Sequence, residues 1–136
     1  MENRVLVPDI WELEMHGVAD PGVPNSERIY LRAAIEVELG EYFLMTGWRW
    51  PDGAANPLQD TLWLPRGLKV AAGYWVIVYT GTGEQKMTML TTGEPCLVLH
   101  WGKATTLFHA PNIVPVLFRL GGIKVGHHLP SRALTG

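Results

Sequence analysis

The segment from Thr61 to Gly83, TLWLPRGLKVAAGYWVIVYTGTG, constrains this chain most. Within it, Tyr74-Trp75-Val76-Ile77-Val78-Tyr79 is aromatic or β-branched throughout, with no strong helix former. Such side chains suit a pleated surface and crowd a helical turn. A run that is apolar on both sides of the pleat predicts a strand covered on both faces. Leu62 and Leu64 give a second strand signal ahead of it, followed by Pro65. Gly67 and Gly73 bracket Leu68-Lys69-Val70, and Gly81-Thr82-Gly83 ends the long strand, so glycines supply the turns.

The flanking sequence carries the same period of two. Trp11, Leu13 and Met15 alternate with Ile10, Glu12, Glu14 and His16, which predicts a half-buried strand with its acids in water. Residues 17–26, GVADPGVPNS, read as a loop. From Glu27 to Ala34, Ile29 and Leu31 point inward and Arg28, Tyr30 and Arg32 outward. Ile35, Val37 and Leu39 continue the alternation; the helix formers there compete, but the strict period and the closing Gly40 favour strand. Residues 41–50, EYFLMTGWRW, form a further apolar stretch, and 51–60, PDGAANPLQD, a second long loop. Residues 84–92 are polar and carry no clear pattern, and 105–109 read as a short strand or a turn. Cys96–Trp101 and Val114–Leu120 are strands, the latter with Pro115 near its start, where a missing N–H is tolerated. Gly121-Gly122 predicts a two-residue connection with Ile123–Val125 returning as a hairpin. The expected fold is all-β, a single sandwich or barrel of about eight short strands over residues 1–126, with a tail over 127–136.

Composition narrows the function classes. The eleven Lys and Arg are scattered and the net charge is −2, which argues against electrostatic capture of nucleic acid or of an anionic membrane. The start of the chain shows no signal-peptide pattern and no apolar run is long enough to span a membrane, so a cytoplasmic location is expected. The single cysteine, Cys96, excludes an intrachain disulfide. Charged residues are 18% of the chain, below the about 25% of ordinary domains, while apolar residues reach 47% and include six tryptophans. Such a surplus fits either a tightly packed, turn-rich β domain or an apolar patch kept for a partner or a second copy.

The order of these signals resembles a known family. Glu27-x-Ile29-x-Leu31 precedes Leu39-Gly40 and the pair Gly47-Trp48. A Leu64-Pro65-x-Gly67 turn follows, then Ala72-Gly73 before the hydrophobic strand ending in Tyr79-Thr80-Gly81-x-Gly83. His100-Trp101-Gly102, Phe108-His109-Ala110-Pro111-Asn112 and Gly121-Gly122 complete the succession. From about Ile10 to Val125 this is similar to the lamin tail domain, in its bacterial form. The resemblance implies an immunoglobulin-like β-sandwich and a non-catalytic role in binding or assembly. The chain departs from the pattern at Asn112-Ile113, where a Gly-Asp pair is usual, and at Arg119-Leu120-Gly121-Gly122, where an acid is usual.

No catalytic constellation is legible. His127-His128 are adjacent and point opposite ways on an extended chain, and His16, His100 and His109 fall on separate elements, so no metal or other cofactor is expected. Asp9, Asp20 and Asp60 lie in loops without the spacing of a calcium loop. Cys96 begins an apolar strand and reads as a buried structural thiol. Glu12 and Glu14 read as a solvated strand face, and Gly81-Thr82-Gly83 as a turn and not a phosphate loop. A hydrolase is therefore the least favoured class.

The aromatic residues are the best functional lead. Trp48 and Trp50 share one strand face with Arg49 opposite, and one of Tyr42 and Phe43 shares it with them. They serve either as core or as an exposed platform, whereas Trp63 and Trp75 are expected in the core. The leading expectation is a non-enzymatic module that binds a protein partner or itself through Tyr42, Phe43, Trp48, Arg49 and Trp50, with the neighbouring loop 51–60. The alternative is a carbohydrate- or small-ligand-binding sandwich using the same tryptophans, with nucleic acid less favoured.

Overall fold

The apolar run around Trp75 is an interior strand in the computed structural model, which describes residues 9–130. Its strands are β1 Leu13–Ala19, β2 Arg28–Ala33, β3 Val37–Glu38, β4 Tyr42–Arg49, β5 Ala55–Trp63, β6 Lys69–Val70, β7 Trp75–Tyr79, β8 Lys86–Met89, β9 Pro95–His100 and β10 Ile113–Arg119. They form a five-stranded sheet in the order β1-β2-β7-β9-β8, a three-stranded sheet β10-β4-β5, and the small pair β3-β6. Neighbours pair antiparallel except β7 with β9, which run parallel.

The two larger sheets close on one core. Leu13, Ile29, Leu31, Val76, Val78, Leu97 and Leu99 reach it from the five-stranded sheet, and Leu44, Leu62 and Leu117 from the three-stranded sheet. Each such side chain contributes about 1.5–3 kcal/mol on burial. The central strand is covered on its other face too. Ile77 packs there with Cys96 and Val98, beneath Tyr30, Trp75 and Tyr79. Cys96 is buried, and burial pushes its thiol up from the ordinary cysteine range.

Several expectations give way to long-range contacts. Ten strands form among the described residues, where about eight were expected. Residues 55–60, expected in a loop, belong to β5, because β4 supplies a ladder; Pro57 is tolerated there since β5 is an edge strand. The alternation of Ile35, Val37 and Leu39 yields only the two-residue β3, and Leu39–Glu41 is a 3₁₀ turn. Glu38 fixes that turn by accepting from Gly40 N–H at 3.0 Å and Gly67 N–H at 2.9 Å. Residues 105–109 form no strand, and neither does Ile123–Val125, so the predicted final hairpin is absent. Among the described residues no helix is long and apolar enough to cross a membrane.

Two buried carboxylates tie the strands' connections together. Glu27, 1% exposed, stands just before β2. One oxygen accepts from Gly22 N–H at 2.7 Å and Phe108 N–H at 3.0 Å. The other accepts from Leu107 N–H at 2.7 Å and the Thr80 hydroxyl at 2.8 Å. Burial alone would raise this carboxyl's pKa, but the four donors outweigh it and hold the group below the usual range. Glu12, expected in water, is also buried, because the chain bends before β1 begins at Leu13. Its carboxylate accepts from the Tyr42 hydroxyl at 2.6 Å and from Arg119. Burial opposes its charge, yet hydrogen bonds from Tyr42, the backbone and Arg119 lower its pKa to about 2.

Glu27→Gln is expected to destabilise the protein by about 2–3 kcal/mol in urea unfolding, since its NH₂ must face a backbone N–H that then loses its acceptor. Glu27→Ala should cost more. The depressed pKa of Glu12 sets a pH dependence of defined sign. Its stabilisation is complete above the ordinary value of 4.5 and is lost as pH falls through about 2. Thermal melts across that window should show Glu12→Gln with a flatter acid limb than the wild type.

Candidate interaction surface

The register of the three-stranded sheet decides which side chains share a face. Leu44 stands opposite Leu117 and Leu62, and all three point into the core. The intervening residues therefore point outward. Phe43 faces Phe118 on one side and Trp63 on the other, Met45 faces Val116 and Thr61, and Gly47 faces Val114. The outer face of this sheet thus presents Phe43, Met45, Trp63, Val114, Val116 and Phe118. None of the six belongs to, or packs against, either buried cluster. They cover one another instead: the Phe43 and Phe118 rings stack at 4.9 Å with an interplanar angle of 8°. Val116 occupies the space above Gly47, where any Cβ would collide with its methyl group.

Trp63, expected in the core, is 40% exposed. Its place on this face is fixed from both sides. The indole N–H donates to Gly40 C=O at 2.6 Å, and the Arg66 guanidinium lies 5.0 Å above the ring. An aromatic held this way loses little freedom on binding, which favours it as an anchor.

The residues singled out from sequence divide between three places. Tyr42, expected on the surface, is a core residue at 2% exposure, its hydroxyl on Glu12. It does share the strand face of Trp48 and Trp50, but that face turns into the core at one end of β4 and emerges beyond it at the other. Phe43 lies on the outer apolar face. Trp48 and Trp50 are 37% and 46% exposed and meet edge-to-face at 6.4 Å, with Arg49 exposed between them in the chain. The missed members are Met45, Val114, Val116 and Phe118. The i, i+2 spacing of the last three carried the signal, but β10 is apolar on both faces, so the period alone did not say which set stays outside.

The outer face of the five-stranded sheet is also aromatic, yet its rings are occupied by one another. His16 and Arg32 lie 4.8 Å and 5.4 Å from the Trp75 ring, Arg28 lies over Tyr30 and Tyr79, and His100 stacks on Tyr79 at 5.4 Å. Acids neutralise the cations: Asp20 pairs with Arg28 at 2.7 Å and Glu94 with Arg32 at 3.4 Å. Trp75, expected in the core, is a half-buried part of this cover. A cleft of about 590 Å³ between Glu12, Glu36, Glu38 and Glu41 holds Lys69 and Arg119, with no nucleophile beside a base. Comparison with protein-family models, curated proteins and solved structures finds no match, which leaves the chemistry of the surfaces to discriminate among functions.

Gly47→Ala tests the packing of the outer face. Displacing Val116 should cost about 1–3 kcal/mol in urea unfolding and should disturb the near-UV signal of the Phe43–Trp63 side.

Proposed function

We propose that this protein is a non-enzymatic interaction module that binds a protein partner, or a second copy of itself, through the outer face of the three-stranded sheet. The observation that carries this reading is the row of six apolar side chains on one sheet face that neither core uses. Exposed contiguous apolar surface is costly in water and is kept where another surface covers it. Phe43, Trp63 and Phe118 supply rigid aromatic area, and Arg66 beside Trp63 supplies a polar rim.

The reading extends to fold type: a lamin-tail-like, immunoglobulin-like sandwich. The turn Leu64-Pro65-Arg66-Gly67 supports it, since Gly67 takes φ +75°, the left-handed conformation such a turn demands. The parallel pairing of β7 with β9 is a point of difference from a purely antiparallel sandwich.

A second reading, carbohydrate binding, draws on one observation: Trp48 and Trp50 project past the core beside Arg49 with their rings partly free. Tryptophan emission titrated with a glycan panel separates the two, because a sugar stacked there should shift it and Trp48→Ala with Trp50→Ala should abolish the shift.

For the leading reading, light scattering behind size-exclusion chromatography is the direct test, run on the protein alone and with candidate partners. Met45→Lys and Val116→Lys should weaken association by at least about tenfold, equivalent to 1.4 kcal/mol, while melting curves stay cooperative. Association that ignores both charges would overturn the assignment of this face.

A further inference from the structure

The sandwich is closed along one side only at its ends. β1 is an edge of the five-stranded sheet and β10 an edge of the three-stranded sheet. The ion pair Glu12–Arg119 joins the start of β1 to the end of β10. Beyond the other end of β1, Gly22 N–H and Phe108 N–H meet on one oxygen of Glu27. The two strands therefore run antiparallel along a seam tied at both ends. Between the ties lies a groove of about 1120 Å³. Val18 of β1, Ile113 and Leu117 of β10, and Phe108 line it, so the seam opens on core side chains, with the exposed Met15 of β1 at its rim. Both walls are strand edges that no other strand pairs with among the described residues. On β10 the free edge offers the N–H groups of Leu117 and Arg119 and the outward carbonyls, since Pro115 has no N–H and Ile113 N–H donates to Ala110 C=O.

The segment 121–130, GGIKVGHHLP, begins at the rim of this groove and leaves it. Gly121 lines the groove, and no described residue beyond it does. Ile123, Val125 and Leu129 are 60%, 79% and 55% exposed. Among the described residues nothing hydrogen-bonds to this segment. Its sequence nevertheless has strand chemistry, with Ile123 and Val125 two apart and so on one face. At about 3.3 Å per residue, seven residues from Ile123 match the length of β10. Nothing lies near the Cα hydrogens of Gly121 or Gly122, so a change of direction there meets no steric barrier.

We propose that residues 123–129 of one copy add to the free edge of β10 in a second copy, entering its groove with Ile123 and Val125 toward the floor. One segment without a partner and one groove with two free strand edges occur in the same chain, so reciprocal exchange leaves neither unmatched. The product is a closed, two-fold dimer in which each chain completes the other's seam. Val114, Val116 and Phe118 of the apolar sheet face also line this groove, whereas Phe43, Met45 and Trp63 do not, so Met45→Lys tests that face alone and substitutions in 123–129 test the exchange alone.

Crosslinking between differently marked full-length chains tests the exchange. One population carries Val125→Cys and the other Met15→Cys; Cys96 is buried and stays a quiet background. Mixed under mild oxidation, they should give a disulfide-linked heterodimer in at least about tenfold higher yield than Val125→Cys with Met89→Cys, an exposed position on the β8 edge. Independently, Ile123→Asp with Val125→Asp should raise the dimer dissociation constant by at least about tenfold without lowering the melting temperature of the monomer, because these side chains are largely exposed and belong to neither core. Equal yields with the β8 control would overturn the proposal. So would a disulfide that forms only when Met15→Cys and Val125→Cys share one chain, or a dimer unaffected by the two aspartates.

Discussion

The architecture depends on a buried carboxylate that pairs with no cation among the described residues. Glu27 sits in the interior with four donors around it, three of them backbone N–H groups from the loop before β2 and the segment after β9. Removing a charge from water is costly, and hydrogen bonds to every available lone pair offset it. The donors would themselves be orphans without it. Irregular chain at Gly22, Leu107 and Phe108 has no ladder to satisfy these N–H groups, and the Glu27 carboxylate stands in for one. The side chain thus converts three turns into a fixed end of the sandwich.

Glu12 does the same at the opposite end with different chemistry. Its partners are a phenol and a guanidinium, from the first residue of β4 and the last of β10. Tyr42 is thereby drawn inward, its phenol proton held more tightly by burial and by the adjacent carboxylate. These two ties bring the sheets together at their ends and leave the β1–β10 side unclosed between them. The groove follows from this: apolar pressure closes the sandwich where side chains interdigitate, and among the described residues no strand bridges the edges.

Much of the fold was legible because it is local. β7, β9 and β10 are short apolar runs bounded by Gly or Pro, and β2 alternates without a break. β5 was not legible, since Asn56, Pro57 and Gln59 argue for a loop until β4 offers a partner. Its bulge at Asp60, with φ +60° and Lys103 at 2.7 Å, is likewise a property of the pairing. In β1 the register shifts between Met15 and Gly17, so the alternation read across Ile10–His16 does not persist. Glu12 and Glu27 look like surface acids in any one-dimensional reading, because their partners lie up to 107 positions away.

For the candidate surface the division is sharper. The sequence by itself determined that β4 and β10 are strands, that the chain is rich in apolar and poor in charged residues, and that tryptophans gather near Gly47. Only the tertiary structure decided which residues remain outside. Tyr42, Leu44 and Thr46 alternate with Phe43, Met45 and Gly47, and both sets are compatible with a core. A period of two separates the faces of a strand but does not say which face another sheet will cover. That choice belongs to the long-range pairing and to the buried carboxylates at either end, which turn Tyr42 inward and leave Phe43 half-buried on the outer face.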